Sequence, residues 1–381
     1  MKFLDEFRDP EASRKLVAQL RRTATRRWSI MEVCGGQTHS LLRHGIEAEL
    51  ADVVELIHGP GCPVCVTSAR DIDFAQLLAR RPGVTVASFG DMLRVPGSRT
   101  SLLGIRAEGG DVRPVYSPLD AVQLARREPA RQVVFFAVGF ETTAPATALA
   151  VLQADQLQLD NFSLLVAHVR VQPAMELLVQ QLDCRIDGFL AAGHVCTVLG
   201  CDSYESFVER YRRPVVVTGF EPTDLLDGLH ECVRQLESGE ARVANRYERS
   251  VRAAGNTAAR QAIDEVYEPC DRDWRGIGTV PGGGLRLRAR FERFDAARRF
   301  ALDDVGGQRA GDIGGATLPL DRDCRAGDVL AGRLKPTDCP HFGAACTPDT
   351  PLGAPMVSSE GACAAYFLYG GHLRSHLAPR L

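Results

Sequence analysis

No apolar run in this 381-residue chain approaches the ~18 to 20 consecutive residues that a membrane-spanning helix needs. The first ten residues hold no apolar segment and carry Asp5, Glu6 and Asp9, so no secretory signal is expected there. An excess of either charge is missing as well. The 45 basic and 48 acidic side chains are mixed along the chain and leave a net charge of −3, which gives no footprint for nucleic acid or for an anionic membrane. Low-complexity stretches are few, and Pro281-Gly-Gly-Gly284 lacks the Lys-Ser/Thr of a phosphate loop, so it predicts no nucleotide site. The expectation is a cytoplasmic protein whose partners are other proteins or small molecules.

Cysteine, by contrast, is plentiful. Twelve thiols in a reducing compartment point to metal or redox chemistry more than to structural disulfides. With 45% hydrophobic residues the chain can bury its cores unaided, and its length calls for two or three of them.

The early chain alternates strand, glycine turn and helix. A basic helical pattern over 10–26 precedes the apolar strand Trp28 to Val33, which runs into Cys34-Gly-Gly-Gln-Thr-His39 and a second helix. A thiol at the exit of a parallel strand sits on the ligand edge of an α/β sheet, where a helix N-terminus lowers its pKa. The pattern repeats at Val53 to Ile57, followed by His58-Gly-Pro-Gly-Cys-Pro-Val-Cys65 and a helix over Asp71 to Arg80, with Ser68 and Asp71 placed as a capping box. Strands follow at Val84 to Ser88, Val112 to Tyr116, Gln132 to Val138, Leu164 to His168, Gly188 to Ala192 and Val215 to Thr218. Gly139-Phe-Glu-Thr-Thr143 and Gly219-Phe-Glu-Pro222 are similar strand exits, expected within one domain. Beyond Gly239 a long polar helix, broken only at Gly255-Asn256, is expected over Arg242 to Val266, then an alternating strand Leu285 to Phe291. From Asp303 the chain is rich in glycine, proline and cysteine, a composition that needs a metal or cluster to hold it together. These patterns predict two Rossmann-like α/β domains with parallel sheets, residues 1–117 and 118–238. A third, helical and loop-rich iron-sulfur domain is expected over 239–381.

Four sets of residues carry candidate chemistry. Cys324, Cys339, Cys346 and Cys363 are separated by fourteen, six and sixteen residues, unlike the paired knuckles of zinc ribbons. An all-thiolate set in loops suits a [4Fe-4S] cluster, with zinc as the alternative. Cys62 and Cys65 form either a redox dithiol or half of a zinc site completed by Cys34 and His58. Cys34, a core thiol or a metal ligand, is followed by two glycines that allow close approach to the backbone. His194, in the strand exit Ala-Gly-His-Val-Cys196, is structural or faces the same crevice. Glu141 and Glu221 cap helices or touch a ligand, and His39, His44 and His58 are open in the same way.

Together with Gly193-His-Val-Cys196 and Met356-Val-Ser-Ser-Glu-Gly-Ala-Cys363, these motifs closely resemble the HypD family of [NiFe]-hydrogenase maturation factors, in the same order over nearly the whole chain. One departure is Gln37, where many relatives have histidine, so an imidazole is not required there. The resemblance implies three domains, two of them α/β, with the [4Fe-4S] cluster in the third. It further implies a scaffold that holds iron between Cys34 and a thiolate of the small chaperone HypC while the Fe(CN)2CO group is assembled. Cyanide would come as thiocyanate from HypE, working with HypF, and Glu360 falls on a position that the family treats as functional. The residues alone leave open a stand-alone iron-sulfur thiol-disulfide oxidoreductase, and a purely structural zinc protein.

Overall fold

The computed structural model describes residues 5–302 and 324–370. Two parallel sheets, each covered on both faces, carry the chain. The first has the order β2-β1-β7-β8-β9, built from β1 (Trp28–Glu32), β2 (Val54–His58), β7 (Gly188–Ala192), β8 (Val215–Thr218) and β9 (Val243–Asn245). The second has the order β4-β3-β5-β6, from β3 (Val84–Ser88), β4 (Val112–Pro114), β5 (Gln132–Gly139) and β6 (Phe162–His168). In β5 the six residues Val133 to Val138 are all at most 3% exposed, the near-continuous apolar run of a strand buried on both faces. Each buried Val or Phe there is worth roughly 1.5–3 kcal/mol of burial.

The sheets interleave along the chain. After β2 the chain leaves to build all four strands of the second sheet, then returns at β7, so residues 1–117 and 118–238 each contribute strands to both sheets. The two Gly-Phe-Glu turns accordingly close strands of different sheets, β5 and β8, rather than lying in one domain.

The expected long helix over Arg242 to Val266 is instead the edge strand β9, a set of turns and a shorter helix, Thr257–Val266. Gly255 explains the break. It adopts φ +68° with its Cα wedged against the Gly200 and Val198 backbone, and Asn256 then caps the new helix through its side chain to the Ala259 N–H. The Pro-Gly-Gly-Gly run lies inside β11 (Gly278–Leu287), which pairs antiparallel with β10 (Tyr267–Trp274). Past Leu287 the expected strand gives way to a 3-10 turn, Ala289–Phe294.

Residues 324–370 form short helices and turns that lean on both α/β cores. Leu330 packs in the core of the first sheet, Ala354 and Val357 in that of the second, and Ala365 and Tyr366 against Leu42. Among the described residues no helix is long and apolar enough to cross a membrane.

Candidate functional site

Strand β1 delivers Cys34 to the N-cap of the helix Gly35–Arg43, in extended conformation, where its carbonyl accepts from the N–H groups of Gln37 and Thr38 at 2.9 and 3.1 Å. Three other segments close on this turn because glycine lets them. A methyl group on Gly61 would fall against the Cys34 backbone, one on Gly35 against the Glu360 main chain, and one on Gly36 would stand 3.3 Å from the Phe220 ring. The Gly35 N–H donates to the Gly61 carbonyl at 3.0 Å, tying the Cys34 turn to the Cys-Pro-Val-Cys loop.

Cys34 is 1% exposed, and its Sγ stands 3.6 Å from Nδ1 of His194, which enters from the exit of β7. Burial pushes the Cys34 thiol well up, and Glu32 and Glu360 add to this against the opposing N–H groups of Gln37 and Gly36. Desolvation thus outweighs the dipole of the helix N-terminus, contrary to the expectation of a favoured thiolate. Burial likewise lowers His194, to about 4, so a neutral imidazole faces a neutral thiol. Losing that proton requires a compensating charge, which a bound cation supplies.

Cys62 and Cys65 are joined as a disulfide with Cα atoms 5.3 Å apart, at the start of the short helix Pro63–Val66. Both are buried, under the β10–β11 hairpin, whose Arg275 N–H donates to the Val66 carbonyl at 2.8 Å. His58, a possible partner in the zinc reading, is engaged elsewhere: Nδ1 lies 2.8 Å from Glu32 and Nε2 3.4 Å from Glu47. Burial pushes His58 down, but hydrogen bonds to the two carboxylates outweigh it and raise it to about 9.

The two glutamates of the Gly-Phe-Glu turns differ. Glu221 completes a capping box on the helix Pro222–Ser238 and pairs with Arg8, which holds its carboxyl below the usual range. Glu141 is 5% exposed; Oε1 accepts from the Val171 N–H at 3.1 Å, Oε2 has no partner, and burial raises it to about 7. Glu360 is exposed as a residue, with its main chain against Gly35 and its carboxyl raised by partial burial and then by Asp91. His39 meets the Tyr369 hydroxyl at 3.2 Å, while His44 is lowered by burial at the end of its helix.

The late cysteines come from separate turns. Cys363 lies on the helix Ala362–Tyr369, and its thiol is raised by burial first and then by Cys324, Cys346 and Cys339. Cys324 Sγ packs on Gly353, and Cys346 Sγ accepts from the Leu352 N–H at 3.4 Å. Among the described residues no three His, Cys, Asp or Glu side chains stand close enough to enclose a single metal ion. The four thiols are nonetheless of the soft donor type that an iron-sulfur cluster takes.

Sequence reasoning missed Glu32 and Glu47. Glu32, fully buried in β1, accepts from the Cys34 N–H at 2.8 Å and from the Thr38 hydroxyl; Glu47 is 3% exposed and binds His58, Lys335 and Tyr366. The available signal was a carboxylate set between the apolar Met31 and Val33, at a position whose neighbours are all core.

A family model described as "Hydrogenase formation hypA family" and labelled HypD matches residues 11–370. The hydrogenase maturation factor HypD of Rhodobacter capsulatus is 46% identical over 97% of this chain and 99% of its own length. That of Azotobacter vinelandii is 47% identical over 97% of both chains, and that of Escherichia coli K12 45% identical over 97% and 98%. Agreement of this extent, over motifs that the fold gathers around one buried thiol, places the chain in the HypD family of hydrogenase maturation factors.

Proposed function

We propose that this chain is the scaffold on which, together with HypC, the Fe(CN)2CO group of a [NiFe]-hydrogenase is assembled, with iron as cargo held by Cys34. The observation that carries this reading is the Cys34 turn itself. A single soft thiol, walled by glycines and a neutral imidazole, lies one peptide contact from a cysteine pair. A thiolate donor keeps iron electron-rich, which favours back-donation into CN and CO. His194 at 3.6 Å is placed to take the Cys34 proton as the metal arrives.

Cyanide delivery as thiocyanate from HypE, itself served by HypF, calls for two electrons. With Cys62 and Cys65 as the dithiol, the S–C bond breaks and cyanide passes to iron. The pair closes to the disulfide seen here and releases two protons, one to the HypE thiolate and one to solvent. Cys324, Cys339, Cys346 and Cys363 would hold a [4Fe-4S] cluster, which supplies electrons one at a time when bound. Glu360 would present its carboxylate at the rim, since its main chain closes the Cys34 turn.

The stand-alone oxidoreductase fits less well. It leaves the buried Cys34 turn and the full-length match to hydrogenase maturation factors without a role, whereas Cys62 and Cys65, 3% and 1% exposed, must be opened to their substrate in either reading. Anaerobic co-purification separates the two readings. The scaffold reading expects HypC and additional iron to be retained and no turnover of small disulfides by the chain alone; turnover alone without HypC contradicts it.

A further inference from the structure

Cys34 is tied to the segment of the late cysteines by a continuous buried chain of polar groups. Oε2 of Glu32 accepts from the Cys34 N–H at 2.8 Å, and its other oxygen meets the Thr38 hydroxyl and His58 Nδ1, the latter at 2.8 Å. On its far side, His58 Nε2 lies 3.4 Å from Glu47. Glu47 is also gripped from residues 324–370: Lys335 Nζ donates at 2.6 Å, and the Tyr366 hydroxyl lies 2.7 and 2.8 Å from its two oxygens. Tyr366 is three residues, about one helical turn, beyond Cys363, and Lys335 precedes the turn that leads to Cys339. Two further contacts run the same way, from Tyr369 to His39 and from the Glu360 main chain to Gly35.

Buried charges on such a chain hold their geometry only while each partner is present, because an unpaired member would be left desolvated. We propose that Glu47, clamped by Tyr366 and Lys335, is a positioning residue for Cys34, so that the segment of the four late cysteines sets the geometry offered to iron. The functional meaning rests on the iron-scaffold reading above; the coupling does not. It gives assembly an order, in which the late segment docks first and the Cys34 turn becomes a competent ligand afterwards.

Tyr366→Phe tests this with minimal disturbance, since the ring that stands edge-on to His58 at 5.3 Å is kept and only the hydroxyl is lost. Amide hydrogen exchange of the anaerobically isolated full chain should show the Cys34 to Thr38 segment exchanging about tenfold faster than wild type. Lys335→Met should do the same, and the Tyr366→Phe, Lys335→Met pair should be less than additive because both act through Glu47. Iron titrated onto the chain with HypC should bind about tenfold more weakly in Tyr366→Phe, at unchanged iron-sulfur absorbance and melting temperature. Faster exchange confined to the helix Ala362–Tyr369, or no change in either variant, overturns the proposal. A wild-type chain that captures no iron would instead overturn the scaffold reading and leave the exchange result standing.

Discussion

Cys34 sits buried where strand exits meet, whereas Cys324, Cys339 and Cys346 lie in partly exposed turns held by short-range bonds such as that from the Cys346 N–H to the His341 carbonyl at 2.8 Å. The first region takes its shape from the exits of β1, β2 and β7 and from the late-segment contacts at Glu47 and Gly35. The second has little core of its own and leans on the neighbouring sheets. Five substitutions probe that contrast and the buried charges beside it.

The largest effect is expected from Cys363→Ala. Iron-sulfur absorbance should disappear, and limited proteolysis should begin cutting within 324–370 while the sheets stay resistant. An intact, protease-resistant late segment without iron would erase the contrast. Next comes Gly61→Ala, whose new methyl would collide with the Cys34 backbone; it should destabilise the chain by about 2–3 kcal/mol in denaturant melts. Gly343→Ala, at φ +70° among the late turns, should cost only about 1 kcal/mol. Equal losses would mean that the two regions are equally rigid.

Glu141→Gln removes a carboxyl raised to about 7 from an ordinary value near 4.5. A group whose folded pKa is raised contributes fully below 4.5, and that contribution fades as pH climbs through 7. Glutamine, always neutral, should therefore stabilise the variant by about 1–2 kcal/mol at pH 8 and show no gain at pH 5. The smallest effect is the alkaline limb of His58. Raised to about 9 between Glu32 and Glu47, it contributes fully below its ordinary 6.5, and this is lost as pH rises through 9. His58→Gln should flatten the fall in melting temperature between pH 8 and 10.

Strand positions were legible because parallel strands buried on both faces read as short apolar runs, and β3, β7 and β8 lie where the sequence put them. The interleaving of the sheets was not legible, since such runs look alike and nothing local says which neighbours they pair with. Ser68 capped its helix as its spacing implied, with its hydroxyl oxygen accepting from the Asp71 N–H. At Cys34 the turn was read correctly and its electrostatics were not, because desolvation depends on Gly61, Glu360 and Phe220, all distant in sequence. Glu47 was missed for the same reason, as its partners Lys335 and Tyr366 lie 288 and 319 residues away.

The most direct measurement of the account is the infrared spectrum of the anaerobically co-purified complex with HypC, taken for wild type, Cys34→Ala and Cys339→Ala. Wild type should show CN and CO bands. Cys34→Ala should lose them while keeping its brown iron-sulfur absorption, and Cys339→Ala should lose that absorption. CN and CO bands persisting in Cys34→Ala would contradict the assignment of iron to this thiol.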